Sequence, residues 1–377
     1  MIIYFKRIDV NTFLDILDRL SLTLLETFKR FPFASLSAFF VSLIWILLIE
    51  IGYNQSNDIV ILLNKIAFVL TLGIFLFPVL YLLNRSIWFK LLGVVILSGY
   101  FYILPFKIDD FSILQHILLL FALSFMFFWA PFLNTNISNK NIWEWTMKIL
   151  LILLVTFILT LTLYGVFYIL MFSLYELFNI EIADKRYLQF LVLVLGLFSV
   201  NFFLSQMPKY ICLLQLKKYT RVGEVFTKYI LTPITFLYMV VLFAYIMKII
   251  IFGLWDKVTI DWMILGYTFF AIATYMFWTP LVSNVNRNFK EIIWGSLCGL
   301  GIILALSVWI RLEQGIAFEF LYLISIFDIW LISISLYFLF FENASYKWLF
   351  FSISMLIALS QSAYVMRFLL SLKVYLL

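Results

Sequence analysis

The stretch ILLILLVTFILTLTLYGVFYILMF, residues 149–172, decides the fold class of this chain. No charged side chain occurs between Lys148 and Glu176. A helix needs roughly 20 apolar residues to cross the hydrocarbon core of a bilayer, and this run exceeds that length. The run is continuous rather than alternating, which favours a helix over a strand of a β-barrel. We therefore predict a membrane-spanning helix over 146–178.

The composition extends this prediction to the whole chain. Of the 377 residues, 65% are hydrophobic and only 12% are charged, whereas soluble domains carry about 25% charged residues. We predict an all-α, polytopic transmembrane helical bundle with about eleven spans. The spans are placed near 31–51, 60–82, 87–105, 111–132, 146–178, 187–207, 229–253, 261–283, 291–310, 317–341 and 347–369.

The distribution of basic residues predicts the orientation of these spans. With the N-terminus inside, 17 of the 26 Lys and Arg residues fall on the inner side and seven on the outer side. Cytoplasmic segments of membrane proteins carry such an excess of cations. The count predicts an N-in, C-out topology. It also accounts for the net charge of +6 without a nucleic-acid partner.

Residues 1–30 differ from the membrane domain predicted over 31–377. Between 8 and 30, Phe13, Leu17, Leu20, Leu24 and Phe28 recur at three- and four-residue spacing with acidic residues at other positions. This pattern predicts an amphipathic helix on the cytoplasmic interface. Two roles stay open, an anchor helix and a docking surface for a protein partner.

The inner loop predicted at 208–228 is the most basic stretch of the chain. Cations next to a membrane surface bind anionic headgroups, each contributing about 1 kcal/mol. The loop is therefore predicted to rest on anionic headgroups of the cytoplasmic face, or to bind a specific lipid or protein partner. Its basic residues are Lys209, Lys217, Lys218, Arg221 and Lys228.

Polar side chains within the predicted spans are the candidate functional residues. Asp328 lies near the centre of its span, where an unpaired carboxylate costs about 2.5–3.5 kcal/mol, so we expect it to face the bundle interior. Lys248, Lys65 and His116 lie near predicted outer ends, and Asn201 is mid-span. Lysines near a span end can extend to the interface. Each position therefore has a structural interpretation beside a role in transport, proton relay or catalysis.

A weak internal similarity links predicted spans 3–4 with spans 7–8. FWAPF at 128–132 ends the fourth span, and FWTPL at 277–281 ends the eighth. Asp110 and Asp261 open the same two spans. Parallel repeats occur in transporters, but Trp and Pro at a span end are also ordinary interfacial anchors.

The sequence offers little to support an enzyme or a metal protein. It has two cysteines, Cys212 and Cys298, and one histidine, which argues against a His/Cys metal site. No nucleotide-binding, zinc-protease or serine-hydrolase motif occurs. The outer-side acids are scattered without the spacing of a general acid and base. We predict no cofactor, no metal and no catalytic residue.

One region resembles a known family. KYILTP at 228–233, AYIMK at 244–248 and GLW at 253–255 resemble the bacterial membrane family catalogued as domain of unknown function 4153. The likeness is diffuse elsewhere, and of a motif after the ninth span only Arg311 and Gly315 are kept. The resemblance implies a bacterial cytoplasmic (inner) membrane location, gives Lys248 the position of the family's lysine, and implies no activity.

Three classes of function remain open from the sequence. The first is a transporter or permease-like protein for a small or lipidic solute, with Asp328 and Lys248 lining the path. The second is a non-enzymatic envelope sensor, scaffold or assembly subunit that docks partners through 8–30 and 208–228. The third, a lipid-modifying membrane enzyme, is least favoured because the acids are scattered.

Overall fold

The computed structural model of the protein describes residues 25–52, 57–108, 110–133, 135, 137–208, 221–252, 259–281, 287–313 and 318–361. All regular secondary structure in these residues is helical, which confirms the predicted all-α class. Most of the predicted interfacial helix lies outside the described residues, as do Lys209, Lys217 and Lys218; residues 25–30 are helical.

Nine helices of the described residues are long and apolar enough to cross a membrane, which makes the chain a multi-pass membrane protein. Two further apolar helices, α3 and α11, are shorter. In chain order the helices are α1 (Pro32–Ile51), α2 (Asp58–Leu83), α3 (Ile87–Ile103), α4 (Asp110–Trp129), α5 (Asn139–Phe178), α6 (Asp184–Gln206), α7 (Gly223–Phe252), α8 (Thr259–Trp278), α9 (Arg287–Glu313), α10 (Phe318–Phe340) and α11 (Tyr346–Ser360).

Two predicted boundaries are wrong. Helix α5 begins at Asn139 rather than near 146 because its first turns bury Ile142, Trp145 and Ile149 at helical spacing, although polar residues interrupt the apolar run. Helical structure before α7 begins at Arg221, within the predicted loop 208–228. Helix α11 is Tyr346–Ser360, and its predicted end at 369 lies outside the described residues.

Local signals fix several helix ends. Pro32 opens α1, where its missing N–H costs no hydrogen bond. The same helix ends at Gly52, whose φ of +83° suits glycine. Asn57 caps α2 by accepting a hydrogen bond from the backbone N–H of Ile59 at 3.0 Å. These residues mark where α1 begins and ends and where α2 begins.

The chain divides into two compact units. Unit 1 comprises residues 1–130 and 147–209, and unit 2 comprises residues 131–146 and 210–377. In unit 1, α1 packs along α2, and α3 and α4 also contact α2. Ile44 and Leu48 of α1 are buried against Val60 and Ala67 of α2.

Helix α6 approaches α1 closely through small side chains. A Cβ atom added to Gly196 would overlap the Ser42 Oγ and lie 3.7 Å from the Ala38 carbonyl oxygen. Transmembrane helices that pack this closely rely on Gly, Ala and Ser at their interface. Gly196 is therefore required for the contact between α6 and α1 in unit 1.

We predict that Gly196→Val destabilises unit 1 by about 1–3 kcal/mol, because the added methyl groups overpack this contact. The measurement is thermal unfolding of the purified protein in detergent. Gly165→Val is the matched control, since a Cβ at Gly165 meets no described atom within 4 Å. Equal melting temperatures for the two variants would contradict the assignment.

Unit 2 is held together by polar links between apolar helices. Tyr267 of α8 lies 2.7 Å from the Ser296 hydroxyl of α9, and Thr235 of α7 lies 2.7 Å from Thr274 of α8. Such links in membrane proteins contribute about 0.6 kcal/mol each on average. Helices α9 and α10 pack along their lengths, so the centre of unit 2 is formed by α8, α9 and α10.

The internal similarity has a local structural counterpart. Helix α4 ends at Trp129 and is followed by a 3-10 turn that contains Pro131. Helix α8 ends at Trp278 and is followed by a turn that contains Pro280. The two segments share this helix ending, and the duplication of spans 3–4 and 7–8 stays a prediction.

Candidate functional site

A buried ion pair lies at one end of unit 2. Arg311, near the end of α9, donates hydrogen bonds from both Nη atoms to the carboxylate of Asp261, near the start of α8. The two side chains are 4% and 7% exposed. The bidentate geometry compensates for the loss of solvent by both charges. The pair therefore joins the start of α8 to the end of α9.

Asp328 occupies the middle level of unit 2. It lies halfway along α10 and is 6% exposed. Its Oδ1 has no hydrogen-bond partner within the described ranges. Gly301 of α9 faces this oxygen, and a Cβ there would lie 3.5 Å from it. A buried carboxyl oxygen without a protein partner is suited to bind a proton, a cation, water or a polar group of a solute.

The same face of α10 carries a second unpartnered polar atom. Ser335 lies seven residues after Asp328, which is two helical turns further along. It is fully buried, and its Oγ lacks a hydrogen-bond partner among the residues that the structure describes. Buried polar atoms are rarely left unsatisfied in proteins. Asp328 and Ser335 therefore mark a polar side of α10 that leads toward its end at Phe340.

A polar cavity of ≈ 920 Å³ lies at that end of unit 2. It is bounded by the start of α5, the end of α8, the start of α9 and the connection between α10 and α11. Cavities of this size bind small molecules and cofactors. The polar side chains that line it are Ser138, Asn139, Lys140, Tyr275, Thr279, Arg287, Lys290, Glu291, Glu342, Asn343 and Tyr346.

The floor of the cavity is a buried hydrogen-bonded network. The side-chain amide of Asn139 donates to the Ala344 carbonyl at 2.8 Å and accepts from the backbone N–H of Tyr346 at 3.0 Å. The Tyr346 hydroxyl forms a short hydrogen bond with Thr279. Asn139 thus joins the start of α5 to the start of α11.

Charged side chains surround the mouth of the cavity. The Lys290 Nζ donates to the Phe341 carbonyl at 2.8 Å, and the Arg287 Nε pairs with Glu291 at 2.7 Å. Lys140 is exposed and forms no hydrogen bond or ion pair within the described part of the chain. The mouth can therefore bind a charged ligand, whereas the floor offers hydroxyl and amide groups.

The predicted cations of unit 2 do not join Asp328. Lys248 is exposed on α7, whereas Asp328 is buried, and a place for Lys248 on a solute path stays a prediction. Lys248 lies on an exposed face of α7, whereas its neighbour Ile249 is buried. Arg221 is also exposed, and Lys228 pairs with Glu224 one turn earlier at 2.7 Å.

The candidates of unit 1 form separate local contacts. The Lys65 ammonium lies 4.6 Å from the centre of the Phe101 ring, a cation–π contact. His116 is buried, and its Nδ1 lies 2.9 Å from the Tyr100 hydroxyl. Asn201 donates to the carbonyl of its own helix four residues earlier. The Asn201 Oδ1 is buried and has no hydrogen-bond partner within the described ranges, and functional roles of the three residues stay predictions.

Contacts at the helix ends of unit 1 agree with the predicted alternation of spans. Glu50, at the end of α1, pairs with Lys185 and Arg186 at the start of α6 at 2.7 and 3.0 Å. Arg30, before α1, donates to the carbonyls of Met207 and Pro208 after α6. Each contact joins residues that were predicted on the same side of the membrane. Helices α1 and α6 are therefore antiparallel.

The sequence missed the ion pair and the cavity. Arg311 falls one residue after the predicted span 291–310 and was assigned to an outer loop, and Asp261 was counted among scattered acids. The one signal in the sequence for this pairing is that both residues lie at predicted outer ends of spans. Among the described residues, no group of three or more His, Cys, Asp and Glu side chains is placed to hold a metal ion.

No family model matches the chain, and neither a curated protein nor a solved structure matches it.

Proposed function

We propose that this protein resides in the bacterial cytoplasmic (inner) membrane and moves a small polar or lipidic solute through unit 2. The observation that carries the proposal is the unpartnered oxygen of Asp328 at mid-depth. A carboxyl at the centre of a span is costly to insert, and such groups mark solute, ion and proton pathways in membrane proteins. A purely structural carboxyl would be expected to use both oxygens.

Polar groups at two further levels support this proposal. The cavity beside Tyr346 lies at one end of unit 2, and the buried Asp261–Arg311 pair lies at the other end. In this proposal the cavity is the open entrance and the ion pair is the closed end of the route. Asp328 lies between them along the helices. A route that is open at one end and closed at the other is the arrangement that alternating access requires.

The excess of Lys and Arg on the predicted inner side supports an N-in, C-out orientation, with the cavity on the cytoplasmic side. Membership of the domain of unknown function 4153 family is part of the same proposal and rests on the resemblance at 228–255. The protein would then work at the cytoplasmic leaflet, where both soluble and lipidic solutes can enter the cavity.

We predict that Asp328→Asn abolishes transport by protein reconstituted into liposomes. Lipid movement is measured with a fluorescent phospholipid and dithionite quenching, and small solutes are measured as uptake from a labelled mixture of amino acids, sugars and organic phosphates. Asn keeps the size of Asp but cannot exchange a proton or carry charge. The expected result is transport by the native chain and none by the variant.

Ser325→Ala is the matched control, because Ser325 lies on the same helix and its hydroxyl bonds to the Leu321 carbonyl of its own helix at 2.7 Å. This variant is expected to transport like the native protein. Native transport rates for Asp328→Asn, at equal amounts of folded protein, would refute the role of Asp328.

A further inference from the structure

The cavity at the end of unit 2 carries an excess of cations. Its lining contains Lys140, Arg287 and Lys290 against Glu291 and Glu342. Glu291 is occupied by the Arg287 Nε at 2.7 Å, and Glu342 interacts electrostatically with Lys290. Each acid of the lining therefore has a cation next to it, and Lys140, whose electrostatic partner Glu144 lies outside the lining, adds a third cation to the cavity.

The cations also differ in how they are held. Arg287 uses its Nε for Glu291, which leaves the paired Nη groups of an 85% exposed side chain to bind a ligand. Two N–H groups of a guanidinium match two oxygens of a phosphate. Lys140 lies on a different element, the first turn of α5. An anion between Arg287 and Lys140 would be contacted from two walls of the cavity.

We propose that this cavity binds a phosphate ester, with Arg287 and Lys140 contacting the phosphate. The volume of ≈ 920 Å³ accommodates a ligand larger than inorganic phosphate. Asn343 and Thr279 of the lining offer hydrogen bonds to hydroxyl groups of the ester. The cavity lies at the ends of apolar helices, the level at which phospholipid headgroups lie.

The phosphate ester can come from a lipid headgroup or from a soluble metabolite, and both present the same group to Arg287 and Lys140. The inference deepens the proposed transport function by naming the solute class, and it rests on that function only for the claim that the ligand is moved. Binding is measured separately from movement, so the two claims fail independently.

The test measures thermal unfolding of the full chain, purified in a maltoside detergent, during titration with two probes. The probes are sn-glycerol 3-phosphate and a short-chain phosphatidylglycerol below its micellar concentration, and glycerol is the phosphate-free control. The native protein is expected to be stabilised by at least one phosphate probe and not by glycerol, because a ligand that binds only the folded state raises its stability.

Lys140→Gln and Arg287→Gln are expected to weaken the apparent affinity by about tenfold or more each. Both side chains are exposed, so the variants retain the fold, which their melting temperatures without probe verify. Lys148→Gln is the matched control, since Lys148 is an exposed lysine eight residues further along α5 and outside the cavity lining. Its affinity should equal that of the native protein.

Stabilisation by the lipid probe alone identifies a headgroup as the source, and stabilisation by both probes identifies the phosphate ester itself. No stabilisation by either probe at millimolar concentration, or equal affinity in Lys140→Gln, Arg287→Gln and Lys148→Gln, would overturn the proposal. Binding without transport would leave this inference intact and refute the proposed function. Transport that depends on Asp328, without binding of either phosphate probe, would refute this inference and leave the proposed function intact.

Discussion

Replacing Asp261 by Ala is expected to destabilise the protein by about 3–5 kcal/mol, the cost of leaving a buried charge without its partner. Arg311 is 4% exposed and has both Nη atoms directed at the Asp261 carboxylate. Without Asp261, the guanidinium must stay buried and unpaired or move to solvent and separate α8 from α9. Either outcome lowers the temperature of unfolding in detergent, which is the measurement.

Exchanging the two charges distinguishes the contribution of the ion pair to stability from the contributions of the individual residues. The double variant Asp261→Arg with Arg311→Asp is expected to recover most of the stability lost in Asp261→Ala, since it restores one charge of each sign in the buried site. Arg287→Ala breaks an ion pair whose arginine is 85% exposed and is expected to cause no measurable change. If Asp261→Ala unfolds at the same temperature as Arg287→Ala, the pair does not hold α8 to α9.

The helices could be predicted from the sequence because each span satisfies its own backbone hydrogen bonds and must be apolar along its length. The run at 149–172 is sufficient to predict most of α5 by itself. The start of α5 could not be predicted in this way, because Asn139, Lys140 and Glu144 interrupt the apolar run. The helix continues there through the packing of Ile142 and Trp145, which is tertiary information.

The burial of single polar residues was harder to predict. Helices α7 and α10 carry apolar residues on every face, so periodicity does not distinguish the side that faces the bundle from the side that faces lipid. Because a carboxylate at mid-span has a high free-energy cost, the sequence predicts an interior position for Asp328. Lys248 has a long stem that can reach the interface from a lipid-facing position, and the structure places it on the exposed side.

The cavity and the buried ion pair depend on contacts between distant parts of the chain. Asn139 and Tyr346 are separated by more than 200 residues, and nothing in either local sequence indicates the other. Asp261 and Arg311 are 50 residues apart. Predicting such pairs requires the arrangement of α8, α9 and α11, whereas hydropathy gives only their approximate ends.

The second prediction with a large expected effect concerns the access of water to the polar side of α10. Ser335 is fully buried, with an Oγ that has no partner among the described residues, and it lies between Asp328 and the cavity along the helix. Ser333, two residues away at nearly the same depth, is exposed on the surface of unit 2, where the bilayer would surround it. Labelling at these two positions therefore compares the accessibility of the proposed route with that of the lipid-facing surface at the same depth.

Thiol labelling at these two positions tests the solute route most directly. In a chain with Cys212→Ser and Cys298→Ser, we predict that a charged methanethiosulfonate reagent modifies Ser335→Cys in membranes and leaves Ser333→Cys unmodified, because the proposed route opens this face of α10 to water during transport and lipid covers the other face. Labelling of Ser333→Cys alone, or of neither cysteine although both react after denaturation, would contradict a polar route past Asp328.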